Sequence, residues 1–285
     1  MKKNKSTDNL GKKKISIGKI LIYIVLITYS LITLVPFIWT VLTSIKPQAE
    51  ISAGNTILPS AVTFDAYKTI FSSKLPLWIM NSTIVAILVT IVNIIFNTMA
   101  GYALARIEFK GRDAIFALLM ALIMVPAQVT MIPTYIIVSK LGLINTHTAL
   151  VLTSAINIGY IFMMRQFFIN FPRDVEEAAS LDGLTKMGTF FRVVFPNAKP
   201  ALATQAIFIF MGTWNEFMKP LLYISSENKY MLTQGLNALA KSFKNVTAWN
   251  VIMAGALVSI IPIFIAYLFL NKYFITVNDQ SGGLK

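Results

Sequence analysis

Six long runs of apolar residues dominate the chain. A membrane-spanning helix needs about 20 mostly apolar residues, and five of the six runs clearly satisfy that length. The fourth run is the shortest and carries Asn157 and Gly159. Prolines occur inside the runs, which a bundle of membrane helices tolerates. The pattern predicts an all-α membrane protein with six transmembrane helices, at residues 20–44, 77–104, 115–137, 149–164, 201–224 and 251–270.

The composition agrees with this class. The 285 residues are 56% hydrophobic and only 13% charged, with a mean hydropathy of +0.68, whereas a soluble domain carries about 25% charged residues. An ordinary cytosolic enzyme and a disordered chain are therefore excluded. The first apolar run exceeds the h-region of a signal peptide and no small-residue cleavage site follows it, so we expect it to stay as a helix.

The basic residues predict an orientation. With both termini in the cytoplasm of a bacterial cell, 17 of the 25 Lys and Arg residues lie in the inside segments, and no arginine lies outside. The net charge of +13 then reflects an anionic inner leaflet of the membrane rather than nucleic acid. The predicted parts are a basic cytoplasmic tail (1–19), a first helix with an external loop (20–76), a five-helix core (77–272) containing a cytoplasmic loop (165–200), and a cytoplasmic tail (273–285).

Several chemistries are absent from the sequence. The chain has no cysteine and a single histidine, His147, which excludes disulfides and thiolate metal sites. We expect no metal site and no catalytic residue. No Gly-x4-Gly-Lys-Ser/Thr phosphate loop occurs, so the chain itself is not expected to hydrolyse ATP.

The loop at 165–200 is the most informative polar segment. Pro172 suits a first helical turn, and acidic residues follow it where they complement the helix dipole. Gly183 fits the left-handed residue after a last turn. A second helix is predicted from about 186 to 195, with Pro196 preventing its continuation. The loop is either a solvated connector or a docking helix, and its alanine pair beside acidic residues favours docking.

This loop resembles the EAA motif of binding-protein-dependent ABC importer permeases, through Glu177, Ala178, Ala179, Asp182, Gly183, Phe191, Val194, Pro196 and Pro200. In that family the motif forms the coupling helix, which sits in a cleft of the ATP-hydrolysing subunit. The resemblance implies an ATPase contact at Glu176, Glu177, Ala178, Ala179, Asp182 and Gly183. We call residues 165–200 the EAA loop.

Further segments resemble the MalG-type carbohydrate permeases, at residues 102–112, 126–146 and 213–221. The resemblance implies a type I ABC importer (MetI-like) permease fold and transport of a carbohydrate, an oligosaccharide in our interpretation. It also implies four kinds of partner: a MalF-type second permease, two copies of an ABC ATPase, an extracytoplasmic sugar-binding protein and membrane lipids. ATP and Mg would be bound by the partners, and no cofactor by this chain. Residues 276–280 depart from the glycine-leucine pair that relatives often carry after the last helix.

Two outer regions are candidates for other contacts. Trp214, Asn215 and Glu216 are predicted to form a gate or a binding-protein contact, although Glu216 could instead pair with nearby Lys219. The external loop 225–250 is predicted to reach the binding protein through Lys241, Ser242, Phe243, Lys244 and Asn245. Polar residues within the apolar runs either line a translocation path or join helices by hydrogen bonds: Asn81, Asn93, Asn97, Asn157 and Gln205.

The sequence leaves two alternative functions open. An sn-glycerol-phosphate-type ABC permease resembles the same branch. An ion-coupled secondary carrier is the alternative from a different class, although internal repeats and buried acids, which mark many such carriers, are scarce here. An intramembrane enzyme lacks a convincing catalytic pair.

Overall fold

The computed structural model describes residues 17–54, 57–242 and 248–281, and every regular element in these ranges is helical. Short connections join the helices. Two short turns, a π-helical one at Phe190–Val194 and a 3-10 one at Glu227–Lys229, occur besides the α-helices. The helices are α1 (Ile17–Ser44), α2 (Gln48–Ala53), α3 (Asp65–Ser72), α4 (Leu75–Arg106), α5 (Arg112–Ile123), α6 (Ala127–Lys140), α7 (His147–Thr153), α8 (Ile158–Ile169), α9 (Arg173–Leu181), α10 (Lys186–Thr189), α11 (Phe195–Asn197), α12 (Lys199–Trp214), α13 (Met218–Tyr223), α14 (Leu232–Ser242) and α15 (Trp249–Ser281).

Three helices are continuous and apolar over a length that crosses a membrane, namely Gly18–Ser44, Leu75–Arg106 and Trp249–Phe269. Three bent pairs bring the candidate spans to six. The bends are 102° between α5 and α6, 46° between α7 and α8, and 78° between Lys186–Asn197 and α12. The apolar runs predicted at 115–137, 149–164 and 201–224 are each divided in the structure, into α5 and α6, α7 and α8, and α12 and α13.

Local signals mark the helix starts that follow two of these breaks. Pro126 has the extended ψ of 134° and precedes the first residue of α6, where its missing N–H costs nothing. Asn157 is also extended, and its side chain accepts a hydrogen bond from the Gly159 N–H at 2.9 Å to start α8. Pro36 and Pro262 lie inside continuous helices instead, so proline alone does not mark a break here.

Helix α4 lies at the centre of the bundle. It packs mainly against α8 and α12, α12 packs against α15, and α15 packs against α1. Gly101 allows a close approach of α4 to α8, because a Cβ at that position would lie 2.7 Å from the Met164 Cβ and 2.9 Å from the Arg165 backbone nitrogen. Helix α4 thus forms the centre of the bundle, and α1 joins it through α15 and α12.

Buried apolar clusters lie at both ends of α4. Near Arg106, Tyr102 packs with Met164, Phe168, Phe190 and Val194, and we call this the α9 end. Near Leu75, a separate cluster joins α4 to α12, α14 and α15, and includes Trp78, Trp214, Leu232 and Val251. We call this the Leu75 end.

Much apolar surface stays exposed. The described side chains of α1 from Gly18 to Trp39 are all exposed, and Val138 is the one buried side chain of α6. Exposed apolar faces on this scale mark contact with lipid or with another protein. The backbone of α15 continues to Ser281, beyond the predicted helix end at residue 270, whereas residues 1–16 and 282–285 of the predicted tails lie outside the described ranges.

Candidate functional site

Helix α9 has the start and the end that its sequence predicts. Pro172 immediately precedes the helix, and Asp174 and Glu176 lie in the first turn. At the other end Gly183 has φ of +80°, a left-handed conformation that favours glycine. The Gly183 N–H donates to the Ser180 carbonyl at 3.0 Å and the Leu184 N–H to the Ala179 carbonyl at 3.1 Å, which is the pattern of a Schellman stop.

The second helix of the EAA loop runs further than predicted. Helix α10 continues through the π-helical turn at residues 190–194 into α11, which ends at Asn197. Pro196 lies in the first turn of α11 and does not stop the helix. The reason is that the wider π-helical turn already interrupts the regular ladder, so the N–H that proline lacks is not required there.

The residues predicted to contact an ATPase fall into two groups. Glu177, Ala178, Asp182 and Gly183 are exposed, and Leu181 between them is 89% exposed. Ala179 is buried, and α9 as a whole packs against α10 and the π-helical turn. The exposed group forms one surface at the α9 end that carries both polar and apolar side chains. The described part of the chain leaves this surface uncovered.

Glu176 belongs to the other group, because its side chain points into the bundle. Its Oε1 lies 3.1 Å from Nε of Arg106, with side-chain exposures of 6% for the arginine and 19% for the glutamate. The Tyr102 hydroxyl donates to Glu176 Oε2 at 3.2 Å, and Arg106 also donates to the Phe171 carbonyl. Glu176 therefore ties α9 to α4 and is only partly exposed, and its contact with an ATPase stays a prediction.

A second arginine joins neighbouring helices at the same end. Arg165 in α8 donates to the Leu104 carbonyl at 3.3 Å, and its guanidinium lies 3.8 Å from the ring centre of Phe116 in α5. Sequence reasoning did not assign roles to Arg106 or Arg165. Their positions in the sequence indicate such roles, because an arginine at the end of an apolar helix needs partners for its charge.

The three predicted gate residues also lie in different environments. Trp214 is 2% exposed, and its indole N–H donates to the Ser259 carbonyl of α15 at 3.1 Å, so it is a core residue rather than a surface contact. Asn215 is exposed and donates to the Met211 carbonyl at 2.9 Å. Glu216 accepts from the Met218 N–H at 2.9 Å and from the Lys219 N–H at 3.4 Å, which caps the start of α13.

Glu216 and Lys219 do not form an ion pair among the described residues. The Lys219 ammonium donates instead to the Thr153 carbonyl at 3.1 Å and to the Ser154 hydroxyl at 2.8 Å. Both residues line a cavity of about 230 Å³ between α4, α7, α8, α12 and α13. Its remaining lining includes Val85, Val89, Asn93, Leu150, Asn157, Tyr160, Ile209, Thr213 and Met231.

Buried amide side chains of α4 hydrogen-bond to backbone groups at the break between α7 and α8, beside this cavity. Asn93 donates to the Ser154 carbonyl, and Asn97 Oδ1 accepts from the Asn157 N–H at 3.2 Å. Asn97 also donates to Asn93 Oδ1 at 2.8 Å, and Gln205 of α12 donates to the Asn93 carbonyl at 3.4 Å. These residues join helices by hydrogen bonds, one of the two roles that the sequence left open.

Amide side chains hold the segment at residues 225–231 against the Leu75 end. Asn81 donates to the carbonyls of Asn228 and Tyr230, each at 3.0 Å. Asn145 has φ of +62°. Its side-chain oxygen accepts from the Ser226 N–H at 3.0 Å, and its backbone carbonyl accepts from the Lys229 ammonium at 2.8 Å. Of the predicted binding-protein contacts, Phe243, Lys244 and Asn245 lie outside the described residues, and Lys241 and Ser242 are described in backbone only, as the end of α14.

Comparisons with known proteins give the family. Residues 97–275 match the family model described as binding-protein-dependent transport system inner membrane component. The chain is 32% identical to the arabinooligosaccharides transport system permease protein AraQ of Halalkalibacterium halodurans, over 89% of this chain and 92% of that protein. It is 33% identical to the diacetylchitobiose uptake system permease protein NgcG of Streptomyces coelicolor, over 85% of this chain and 81% of that protein.

A solved structure agrees. A chain in the crystal structure of a bacterial ABC transporter involved in the import of the acidic polysaccharide alginate superposes with a TM-score of 0.82 at 26% identity, covering 90% of this chain and 96% of that one. The predicted fold is thereby confirmed as the MetI-like permease fold. The chain belongs to the family of inner-membrane permease components of binding-protein-dependent ABC importers.

Proposed function

We propose that this chain is one of the two permease subunits of an ATP-driven importer that carries an oligosaccharide across a bacterial cell membrane. A second, MalF-type permease completes the path, two ABC ATPase subunits bind and hydrolyse ATP with Mg, and an external binding protein delivers the sugar. This chain holds no cofactor and hydrolyses nothing. The oligosaccharide names of two relatives support this substrate class.

The connection between α9 and α4 is the observation that carries the proposal. The exposed face of α9 offers Glu177, Ala178 and Leu181 to a partner, while Glu176 on its inner face is held by Arg106 at the end of α4. A helix joined this way transmits displacement to the centre of the bundle. ATP binding can favour one conformation of the permease only through contacts that differ between its conformations, and α9 is where those contacts form.

The basic residues support a matching orientation. The α9 end carries Arg106, Lys110, Arg112, Arg165 and Lys186, the excess expected at a cytoplasmic surface. In this orientation both termini are cytoplasmic and the Leu75 end faces the binding protein. The ATPase and the exposed face of α9 then lie on the same side of the membrane.

Two substitutions in α9 test the proposal. Glu177→Arg reverses a charge on an exposed side chain, and Gly183→Pro removes the N–H of the helix stop and imposes a φ near −65° where the chain needs +80°. We expect both variants to insert in the membrane, to lose the ATPase during co-purification, and to lose ATP-dependent uptake. Glu108→Arg makes the same charge change at an exposed position of the α9 end outside α9 and should retain the ATPase.

Undiminished ATPase co-purification and uptake in both α9 variants would contradict the proposal. Uptake of glycerol 3-phosphate rather than an oligosaccharide by the wild-type importer would favour the sn-glycerol-phosphate-type alternative. Uptake by the chain alone, driven by an ion gradient, would favour a secondary carrier.

A further inference from the structure

The cavity between α4, α7, α8, α12 and α13 contains hydrogen-bonding groups that the protein does not use. Tyr160 and Thr213 line it, and neither side-chain hydroxyl makes a hydrogen bond within the described part of the chain. Glu216 uses Oε1 for two backbone N–H groups, so its Oε2 is available. Lys219 uses two of its three ammonium protons. The cavity thus offers both donors and acceptors.

Part of the lining is apolar. Val85, Val89 and Ile209 are each at most 4% exposed and line the same cavity. A few placed polar groups against an apolar wall are the usual composition of a small-molecule site. A sugar ring has this same division, since its hydroxyl rim is polar and its C–H faces are not.

The charges of the lining select among small polar ligands. One carboxylate, Glu216, and one ammonium, Lys219, both line the cavity, so their formal charges balance. The ammonium is already held by a carbonyl and a hydroxyl of the α7–α8 break, and a phosphate or carboxylate ligand would meet the Glu216 carboxylate. Like charges placed together at a site of low dielectric are unfavourable, so the lining fits a neutral ligand.

We infer that this cavity is a sugar subsite that holds one neutral sugar residue of the transported chain. Its volume of about 230 Å³ is smaller than the roughly 300–1,000 Å³ of sites for drug-sized ligands, so an oligosaccharide occupies it one ring at a time. The hydroxyls of Tyr160 and Thr213 and the free oxygen of Glu216 bind the ring hydroxyls. The inference rests on the proposed function, because it names the substrate class of the same permease.

Thiol protection in the complete importer tests the subsite. The chain has no cysteine, so Thr213→Cys introduces its single thiol, at the cavity wall. Gly212→Cys gives a second reporter in the same lining, where an added Cβ has open space. Ser225→Cys is the control, because Ser225 is exposed at the Leu75 end and does not line the cavity. The importer is treated with a small methanethiosulfonate reagent, and modification of this chain is followed by mass spectrometry.

Arabinooligosaccharides and diacetylchitobiose are the probes, and whichever of them the wild-type importer accumulates in proteoliposomes is used for protection. At ten times its Kd, the sugar should leave about one-tenth of the sites free and slow labelling of both cavity thiols about tenfold. Labelling of Ser225→Cys should not change, and glycerol 3-phosphate should not protect.

Each other result overturns a defined part of the account. If the sugar is accumulated but leaves both cavity thiols equally reactive, the subsite is wrong and the proposed function stands. Equal protection of Ser225→Cys means that the sugar changes access to the whole end of the bundle, which also overturns the subsite. Protection by glycerol 3-phosphate contradicts the neutral ligand. If the wild-type importer accumulates no oligosaccharide, the proposed function fails and the subsite with it.

Discussion

The buried contact of Arg106 with Glu176 is the residue-scale feature on which the account depends most. It joins an apolar helix end to a polar loop, and the Tyr102 hydroxyl and the Phe171 carbonyl complete the set of partners. Removing one partner of such a pair leaves a charge without compensation, which is more costly than the pair is favourable. The contact therefore holds α9 in a defined position relative to α4.

Arg106→Ala should destabilise the chain by about 3 kcal/mol, because the Glu176 carboxylate loses its charged partner while it remains mostly buried. The ATPase should still bind, since the exposed face of α9 is unchanged, but ATP hydrolysis should no longer be matched by uptake. The ratio of sugar imported to ATP hydrolysed measures this in proteoliposomes.

Lys110→Ala is the matched control for that variant. Lys110 is exposed, lies four residues further along the chain and makes no ion pair within the described ranges. Its loss should leave the ratio of uptake to hydrolysis unchanged. An unchanged ratio in Arg106→Ala as well would show that the contact does not transmit motion.

Gly101→Ala should also destabilise the chain, for a steric reason. The added Cβ would lie 2.7 Å from the Met164 Cβ and 2.9 Å from a backbone nitrogen, so α4 and α8 must separate. Overpacking of this kind costs about 1–3 kcal/mol. Gly212→Ala places the same methyl group where nothing lies within 4 Å. Thermal unfolding in detergent should show a lower midpoint for the first variant only, and equal midpoints would refute the close packing.

At the scale of elements, the sequence predicts helix content better than helix continuity. The acidic first turn of α9 and its glycine stop are local signals, and both are confirmed. The 46° break between α7 and α8 is not a local property, because the groups that satisfy it, Asn93 and Asn97, belong to α4. The inward direction of the Glu176 side chain could not be predicted from local sequence either, because its partner Tyr102 lies 74 positions away in the chain.

The support that Asn93 and Asn97 give to the break between α7 and α8 can be tested by substitution. Asn97→Leu removes the acceptor of the Asn157 N–H and a donor to Asn93, and a buried group left without a partner costs about 1–3 kcal/mol. We expect faster hydrogen exchange at the start of α8 and a lower unfolding midpoint. Asn197→Leu, at an exposed amide that bonds only within its own turn, should change neither measurement. Slow exchange in Asn97→Leu would mean that the break is stable without α4.

At the scale of the whole molecule, the chain is incomplete as a compact body. The described face of α1 is exposed along almost its full length, and α5 and α6 also present mostly exposed side chains. A single-chain carrier would bury more of its helices around its own pathway. These surfaces instead suit a subunit that shares its membrane environment with a second permease and lipid, as the proposed function requires.

The central claim is that transport by this chain is driven by ATP through separate subunits. The most direct measurement is uptake of radiolabelled arabinooligosaccharides and diacetylchitobiose into proteoliposomes that contain this chain, its second permease, the ATPase and the binding protein. We expect accumulation of one of these sugars only when ATP and every subunit are present, and no effect of collapsing the proton and sodium gradients. Accumulation by this chain alone, driven by either gradient without ATP, would contradict it.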